Sequence, residues 1–195
     1  MATFYSWIGL RDIERILSKK PDESPIGSML LHRAYDQAIL IKDYKEPGKP
    51  NLAEAKKETT QLVYEIGKFF KGEVIIKYVP LEDPTILADV YTATKSVIDE
   101  YPVDPFDPLD TDLNFTSGTP VMQAVMLLFS KDLNCRILSS SEQKGVVEQD
   151  FPFDLRAKFI PEADDTKSNV ELLAEIVGQT VILFVGMFYG MPRLL

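Results

Sequence analysis

Short runs rich in β-branched and aromatic residues alternate along this chain with stretches whose apolar positions recur every third or fourth residue. Thr3 to Ile8 is rich in aromatic residues and predicts a first strand, followed by a polar loop that runs through Ser18-Lys19-Lys20-Pro21-Asp22-Glu23-Ser24-Pro25. Ile26, Met29, Leu30 and Ala34 then fall at helical spacing. Ile39-Leu40-Ile41 is apolar without a break, as expected of a strand covered on both faces. Glu46 to Asn51, with two prolines and a glycine, interrupts the pattern, and Asn51 reads as the N-cap of a helix striped by Leu62, Val63, Ile66, Phe69 and Phe70. Val74-Ile75-Ile76 opens a third strand that ends near Val79. Asp83-Pro84 reads as a cap with proline at the first helical position, before a face of Ile86, Leu87, Val90, Val97 and Ile98. The prolines at 102, 105 and 108 impose a loop. Leu113-Asn114-Phe115 predicts a fourth strand, Val121, Met122, Val125, Leu128 and Phe129 a fourth helix, and Cys135 to Leu138 a fifth strand. Beyond Gly145 the pattern loosens, with a last helix predicted near Asn169 to Thr180.

This alternation predicts an α/β protein of Rossmann-like type, a mostly parallel sheet with helices on both faces and right-handed crossovers. Ligands of such sheets sit beyond the carboxyl ends of the strands, so the loops after the strands are where chemistry is expected.

Composition adds limits. A chain of 195 residues, 45% of them apolar, is expected to form one domain over 1–161 with a C-terminal extension over 162–195 packed on the core or on a dimer interface. A net charge of −9 disfavours double-stranded DNA as a partner of this chain alone, though not a local pocket for a small anion. With one cysteine, Cys135, and one histidine, His32, neither an internal disulfide nor a Cys/His zinc site is expected, which fits a reducing, cytoplasmic setting. No signal-peptide pattern is present at the start. Ile176 to Met191 is strongly apolar but short of the roughly 20 residues a spanning helix needs, and Gly178, Gln179 and Gly186 interrupt it. A buried or dimer-packed element is expected there rather than a membrane span.

The sharpest candidate for chemistry is Asn114-Phe115-Thr116-Ser117-Gly118-Thr119-Pro120, between the fourth strand and the fourth helix. Hydroxyls, a glycine and the first amides of a helix make either an anion cradle or an ordinary helix cap. Thr119→Ala is expected to cost about 1 kcal/mol of cap stability, and Ser117→Ala less stability but more ligand affinity. In Ser6-Trp7-Ile8-Gly9-Leu10-Arg11-Asp12, Trp7 is either a stacking surface for a base or core, and Arg11 either pairs a phosphate or is solvated. Ser139-Ser140-Ser141-Glu142-Gln143-Lys144-Gly145 sets Lys144 against a phosphate or is a polar surface loop. Lys45, Lys49 and Asp83 are weaker candidates, and His32 reads as a surface residue. No dinucleotide glycine fingerprint, phosphate-loop lysine motif or nucleophile elbow occurs, so no cofactor is expected and catalysis has no strong signature.

Taken together, Trp7-Ile8-Gly9, Pro25-Ile26-Gly27, Leu81-Glu82-Asp83-Pro84-Thr85, Asn114 to Met122, Ser139-Ser140-Ser141 with Lys144-Gly145, and Pro152-Phe153-Asp154 resemble the CARF (CRISPR-associated Rossmann fold) domain over about residues 3 to 161. The branch most similar is the N-terminal sensory domain of RtcR-like enhancer-binding transcription activators. The resemblance implies a homodimer with a ligand across the dimer cleft, over the loops after strands one and four. The implied ligand is a cyclic oligoadenylate or, for RtcR-like members, an RNA terminus. It nominates Trp7, Ile8, Gly9, Arg11, Thr116, Ser117, Gly118, Thr119, Met122, Gln123 and Lys144 as ligand-binding. Some members are ring nucleases that cleave the cyclic ligand through its own 2′-hydroxyl; for that activity the residues singled out are Ser6, Ser117, Thr119 and Lys144, with no metal. RtcR-like proteins continue into an AAA+ ATPase and a helix-turn-helix, which this chain lacks, so it is expected to be an excised domain or a stand-alone protein. Three functions follow: a ligand-sensing regulatory domain, a stand-alone ring nuclease, or a non-catalytic scaffold with a degenerate pocket.

Overall fold

Side chains alternate across an extended strand, and that alternation sorts this protein's core into two layers. In the first strand, β1 (Thr3–Trp7), Phe4 points to one layer while Tyr5 and Trp7 point to the other, and all five residues are buried. The computed structural model describes residues 1–44, 52–141 and 143–149, all within the unit Met1–Asp150. In chain order these residues form β1, α1 (Leu10–Leu17), α2 (Pro25–His32), β2 (Gln37–Asp43), α3 (Leu52–Ile66), β3 (Glu73–Val79), α4 (Leu87–Glu100), β4 (Thr111–Asn114), α5 (Pro120–Asp132), β5 (Arg136–Ser141) and β6 (Gly145–Glu148).

The strands build one sheet in the order β3-β2-β1-β4-β5-β6. The first five are parallel, and β6 runs antiparallel to β5. Helices α1, α2 and α3 cover one face, where Phe4, Ile13, Ile26, Leu40, Leu62 and Ile66 interlock. Helices α4 and α5 cover the other, where Trp7, Ile39, Ile41, Val90, Val125 and Met126 meet. The predicted class is therefore the observed one, an α/β Rossmann-like sheet with helices on both faces. Leu40 and Ile41 are 0% exposed on opposite faces, and each such burial contributes about 1.5–3 kcal/mol. Their central strand is why the run 39–41 carries no polar residue.

The differences from the predicted elements lie at helix ends and at the sheet edge. The segment after β1 is not all loop, since Leu10–Leu17 forms α1. Only Ile13 and Ile16 of its apolar residues are buried, so its apolar stripe is narrow and its charged face dominates the sequence. Helix α2 stops at His32, because Arg33 is extended (φ −136, ψ 144), and this leaves Ala34 exposed. Phe69 and Phe70 lie past the end of α3 and pack from the turn that follows. Asp83-Pro84 does not start a helix: Asp83 accepts from the Thr85 amide (2.8 Å) and hydroxyl (2.6 Å), closing a turn, and α4 starts at Leu87. The serines 139–141 belong to β5 rather than to the loop after it, and Ser139, Ser140 and Ser141 pair with Val147, Val146 and Gly145 of the unpredicted β6. His32 is exposed, as expected of a surface histidine.

Lys45, Lys49, the Asn51 cap, Glu142, Pro152-Phe153-Asp154, the helix near Asn169 to Thr180, the apolar stretch Ile176 to Met191 and the 162–195 extension lie outside the described residues. Among the described residues no helix is long and apolar enough to cross a membrane.

Candidate functional site

The strand order decides where the site is. From β1 the chain leaves toward β2 and β3, and from β4 it leaves toward β5 and β6, so the connections diverge between β1 and β4. At such a switch point the loops peel apart and open a crevice beyond the carboxyl ends. The two loops in question are the segments singled out from the sequence, Trp7-Ile8-Gly9 and Asn114 to Thr119.

These loops touch through two glycines. A Cβ on Gly9 would lie 3.0 Å from the Gly118 amide nitrogen, and one on Gly118 would lie 2.7 Å from Met122 Sδ and 3.2 Å from Trp7 Cβ. Gly118 also has φ +84, a left-handed conformation that side chains disfavour. Its glycine thus serves loop-to-loop packing in the first place.

Beneath the glycines lies a buried polar network centred on Asn114, which is 0% exposed. Its Nδ2 donates to Ser6 Oγ (2.9 Å) and to Ser117 Oγ (2.8 Å), and its Oδ1 accepts from the Thr116 amide (2.8 Å). Ser6 passes its own proton to the Trp7 carbonyl (2.8 Å). Asn114 thereby spells out both loops with one planar amide, which supplies two donors and an acceptor in fixed geometry.

A second hub is Asp12, 1% exposed. Its Oδ2 accepts from the Gly9 amide (3.1 Å), and its Oδ1 accepts from Ser24 Oγ (2.8 Å) and the Ile26 amide (2.9 Å). Burial pushes this carboxyl above its ordinary value, against the downward pull of bonds from Ile26, Ser24 and Gly9. A native pKa above the unfolded one means that the native state holds the proton more tightly. The stability Asp12 contributes is then fully present below its unfolded pKa and is lost as pH rises through the native one. Urea unfolding from about pH 4 to pH 7 is expected to show wild type losing stability more steeply than Asp12→Asn. A difference between the two that does not vary with pH would contradict this.

The start of α5 completes the rim. Thr119 is its N-cap: Oγ1 accepts from the Met122 amide (3.3 Å) and donates to the Pro84 carbonyl (3.0 Å), tying in the loop after β3. Pro120 has no amide proton and Met122 is capped, which leaves Val121 as the orphan donor of the first turn among the described residues. Gln123 Nε2 holds the loop from above, donating to the Thr116 carbonyl (3.1 Å). Ser140 is joined to it as well, its amide donating to Thr116 Oγ1 (2.8 Å).

The nominated residues therefore divide. Gly9, Thr116, Gly118, Thr119 and Gln123 meet at the loop crest and keep partial exposure. Ser6, Trp7, Ile8, Ser117 and Met122 lie beneath it, each 5% exposed or less. Of the two roles open to Trp7 the structure takes the core one: the indole is 1% exposed and donates to Thr94 Oγ1 (3.2 Å), so it is not a surface on which a base stacks. Its fluorescence is expected to resist quenching by iodide in the native protein, and ready quenching would contradict that placement. Arg11 stands on the outer side of α1 and lines a small cleft with Ser28, Ser140 and Ser141, beside the acidic Asp22 and Glu23. Lys144 is exposed on the β5–β6 turn, where its amide donates to Ser141 Oγ (3.0 Å). Ser6 is thus buried within β1, whereas Lys144 is exposed on the turn at the sheet edge.

Ser117 also changes the expected order of mutational costs. Its hydroxyl accepts from Asn114 Nδ2 inside the protein, so Ser117→Ala is expected to cost about 1–3 kcal/mol by stranding that buried donor. Thr119→Ala, at a rim cap, is expected to cost about 1 kcal/mol. Chemical denaturation of both variants checks the order, and a smaller loss for Ser117→Ala would restore the reading from sequence. Asn114 and Asp12 fall within the segments singled out from the sequence, but neither is nominated there as a ligand-binding residue. The signal for Asp12 was there, a glycine N-cap followed at the third helical position by an acidic residue.

Two solved structures are similar to this chain in fold. Can2 from Sulfobacillus thermosulfidooxidans, in complex with cyclic tetra-adenylate, matches with a TM-score of 0.52 at 14% identity over 75% of this chain and 34% of its own. Enterococcus italicus Csm6, bound to cyclic hexa-2'-fluoro-hexa-dAMP, matches with a TM-score of 0.53 at 17% identity over 92% of this chain and 39% of its own. The chain has their fold. It spans little more than a third of either protein, and at these identities the likeness to Can2 and Csm6 is one of fold. No protein-family model and no curated protein matches the chain. Among the described residues no cluster of His, Cys, Asp or Glu is placed to hold a metal ion.

Proposed function

We propose that the chain is a CARF-like sensor domain whose loops after β1 and β4 receive a cyclic oligoadenylate, with two copies presenting those loops to one ligand. The observation that carries this reading is the contact of Gly9 with Gly118 at the strand-order switch point, above a buried network that fixes both loops. A rigid crest of glycine backbone with the Thr116 and Thr119 side chains and the Val121 amide beside it suits a phosphodiester, which needs donors and close backbone approach rather than a catalytic base. The sequence resemblance supports the ligand class. So do the ligands of Can2 and Csm6, two proteins of this fold solved with cyclic adenylates.

The sensor reading is preferred to a ring nuclease because the hydroxyls of Ser6 and Ser117 are engaged inside the protein. An RtcR-like relation adds a second ligand, an RNA terminus, which the same donors suit.

Calorimetry with cyclic tri-, tetra- and hexa-adenylate, then with a short RNA ending in a 2′,3′-cyclic phosphate, tests the proposal. One cyclic adenylate per two chains, intact after prolonged incubation, is the expected result. Binding of the RNA end alone would replace the ligand, turnover of the cyclic adenylate would replace sensor with nuclease, and silence with all of them would leave a scaffold.

A further inference from the structure

Phe106 is 97% exposed, the most exposed large apolar side chain among the described residues. The loop that carries it is not slack. Tyr5 donates its hydroxyl proton to the Tyr101 carbonyl, Tyr101 and Val103 pack on the core layer beneath α4 and α5, and Asp110 pairs with Arg33 (3.1 Å). Between these anchors Asp104 Oδ1 accepts from the Phe106 amide (2.9 Å), and the carbonyls of Asp104 and Asp107 accept from the amides of Asp107 (3.3 Å) and Asp110 (3.2 Å). Pro105 and Pro108 fix the backbone further. An aromatic ring is thus held out in water by an ordered loop, with the exposed Asp104 and Asp107 close to it in sequence.

On another face of the protein a hollow of about 310 Å³ opens between α1 and α3, lined by Ile16, Lys19, Pro21, Glu65, Lys68 and Phe69. Ile16 and Phe69 belong to the core packing and give it an apolar floor. Lys68 is balanced by Glu65 (2.6 Å), so the net positive charge comes from Lys19, an exposed residue that follows the α1 cap in a left-handed conformation (φ 61). The hollow has room for one aromatic side chain. It lies, like the loop, away from the crest: the turn after α3 leads into β3 and the loop leads into β4, both at the amino ends of the parallel strands.

We propose that Phe106 of one copy of this chain seats in the hollow of a second copy, with Asp104 and Asp107 facing Lys19. Ring and floor match in polarity, and the carboxylates and the ammonium match in charge. The giving and receiving surfaces differ, so the contact is head to tail and repeats from copy to copy. A single aromatic anchor in a pocket carries most of the energy of such an interface, and an ordered loop loses little freedom on docking. The buried area is small, so the association is weak and grows with concentration. Neither surface belongs to the crest, so the contact forms whether or not the crest binds a ligand.

Sedimentation velocity of the full chain across micromolar concentrations tests this. Wild type is expected to gain mass with concentration beyond the monomer or crest-paired dimer present when dilute. Phe106→Ser and Lys19→Glu are each expected to weaken that growth about tenfold or more, and both positions are exposed, so the fold is spared. Leu31→Ser, at an exposed apolar residue of α2, is expected to leave the growth as in wild type. Phe106→Ser keeps the hollow and Lys19→Glu keeps the ring, so the two variants are expected to associate when mixed though neither does alone. Four results overturn the proposal: wild type that gains no mass, growth that survives Phe106→Ser, growth lost equally in Leu31→Ser, or a mixture that stays apart.

Discussion

Gly118→Ala is expected to lower stability by about 2–5 kcal/mol and to abolish the proposed ligand binding. Roughly 1–2 kcal/mol comes from placing an L side chain at a left-handed φ of +84. A further 1–3 kcal/mol, roughly, comes from forcing a methyl into occupied space. Met122 Sδ at 2.7 Å can swing aside, but Met122 Cβ at 3.1 Å and Trp7 Cβ at 3.2 Å are fixed by α5 and β1. The loop must therefore lift from Gly9, which separates the two halves of the crest. Thermal unfolding is expected to shift down by roughly 5–15 °C for a domain of this size, with calorimetry reporting no binding. A variant melting within a degree or two of wild type would mean that the loop has room the structure does not show.

The second large effect is expected at the other end of the sheet. Asp112 is 0% exposed in β4. Its carboxylate takes Arg136 Nε (2.8 Å) and Nη2 (3.1 Å), Arg33 Nη1 (3.1 Å) and the Tyr35 hydroxyl (2.7 Å). Asp112→Ala removes the anion that holds two guanidinium groups and a buried phenol whose pKa that anion and burial push upward. Breaking a buried ion pair by deleting one partner costs 3–5 kcal/mol, and because Arg33 and Arg136 keep about a quarter of their surface, about 3 kcal/mol is expected. Unlike Gly118→Ala, this variant is expected to keep its ligand affinity under conditions where it is folded, since Asp112 pairs with Phe4 in the early part of β1 and the crest lies beyond the strands' other ends. Urea unfolding paired with calorimetry separates the two effects; a matching loss of affinity would tie this cluster to the site.

The sheet was legible because both faces of β1 and β2 are buried, which writes Phe4, Tyr5, Ile39, Leu40 and Ile41 as uninterrupted apolar letters. The loop after β4 was legible because an anion cradle and a helix cap use the same letters, and for the same reason its role stayed open: Thr119 proves to be a cap, whereas Ser117 belongs to the interior. What stayed hidden was whatever depends on long-range pairing. Ser6 and Asn114 read as polar residues in strands until the sheet sets them beside each other. Asp12 reads as one more charge in a polar loop, and only the approach of Ser24 and Ile26 explains why it is buried. The Ser139–Ser141 run reads as loop because this end of β5 pairs with the short edge strand β6 and is half-buried to exposed, so it has no need of apolar letters.

The bond from Asn114 to Ser6 spans 108 residues of chain. The crest therefore belongs to neither half of the sequence: β1 to β3 supply one bank and β4 to β6 the other, with the proline-rich stretch from Tyr101 to Asp110 between them. Closing so long a loop is among the slow events of folding, so the crest forms only once β1 and β4 have paired. It also marks where the chain divides naturally. Two pieces cut in that stretch would each carry half of the crest, and the Asn114–Ser6 bond would form only when they had met.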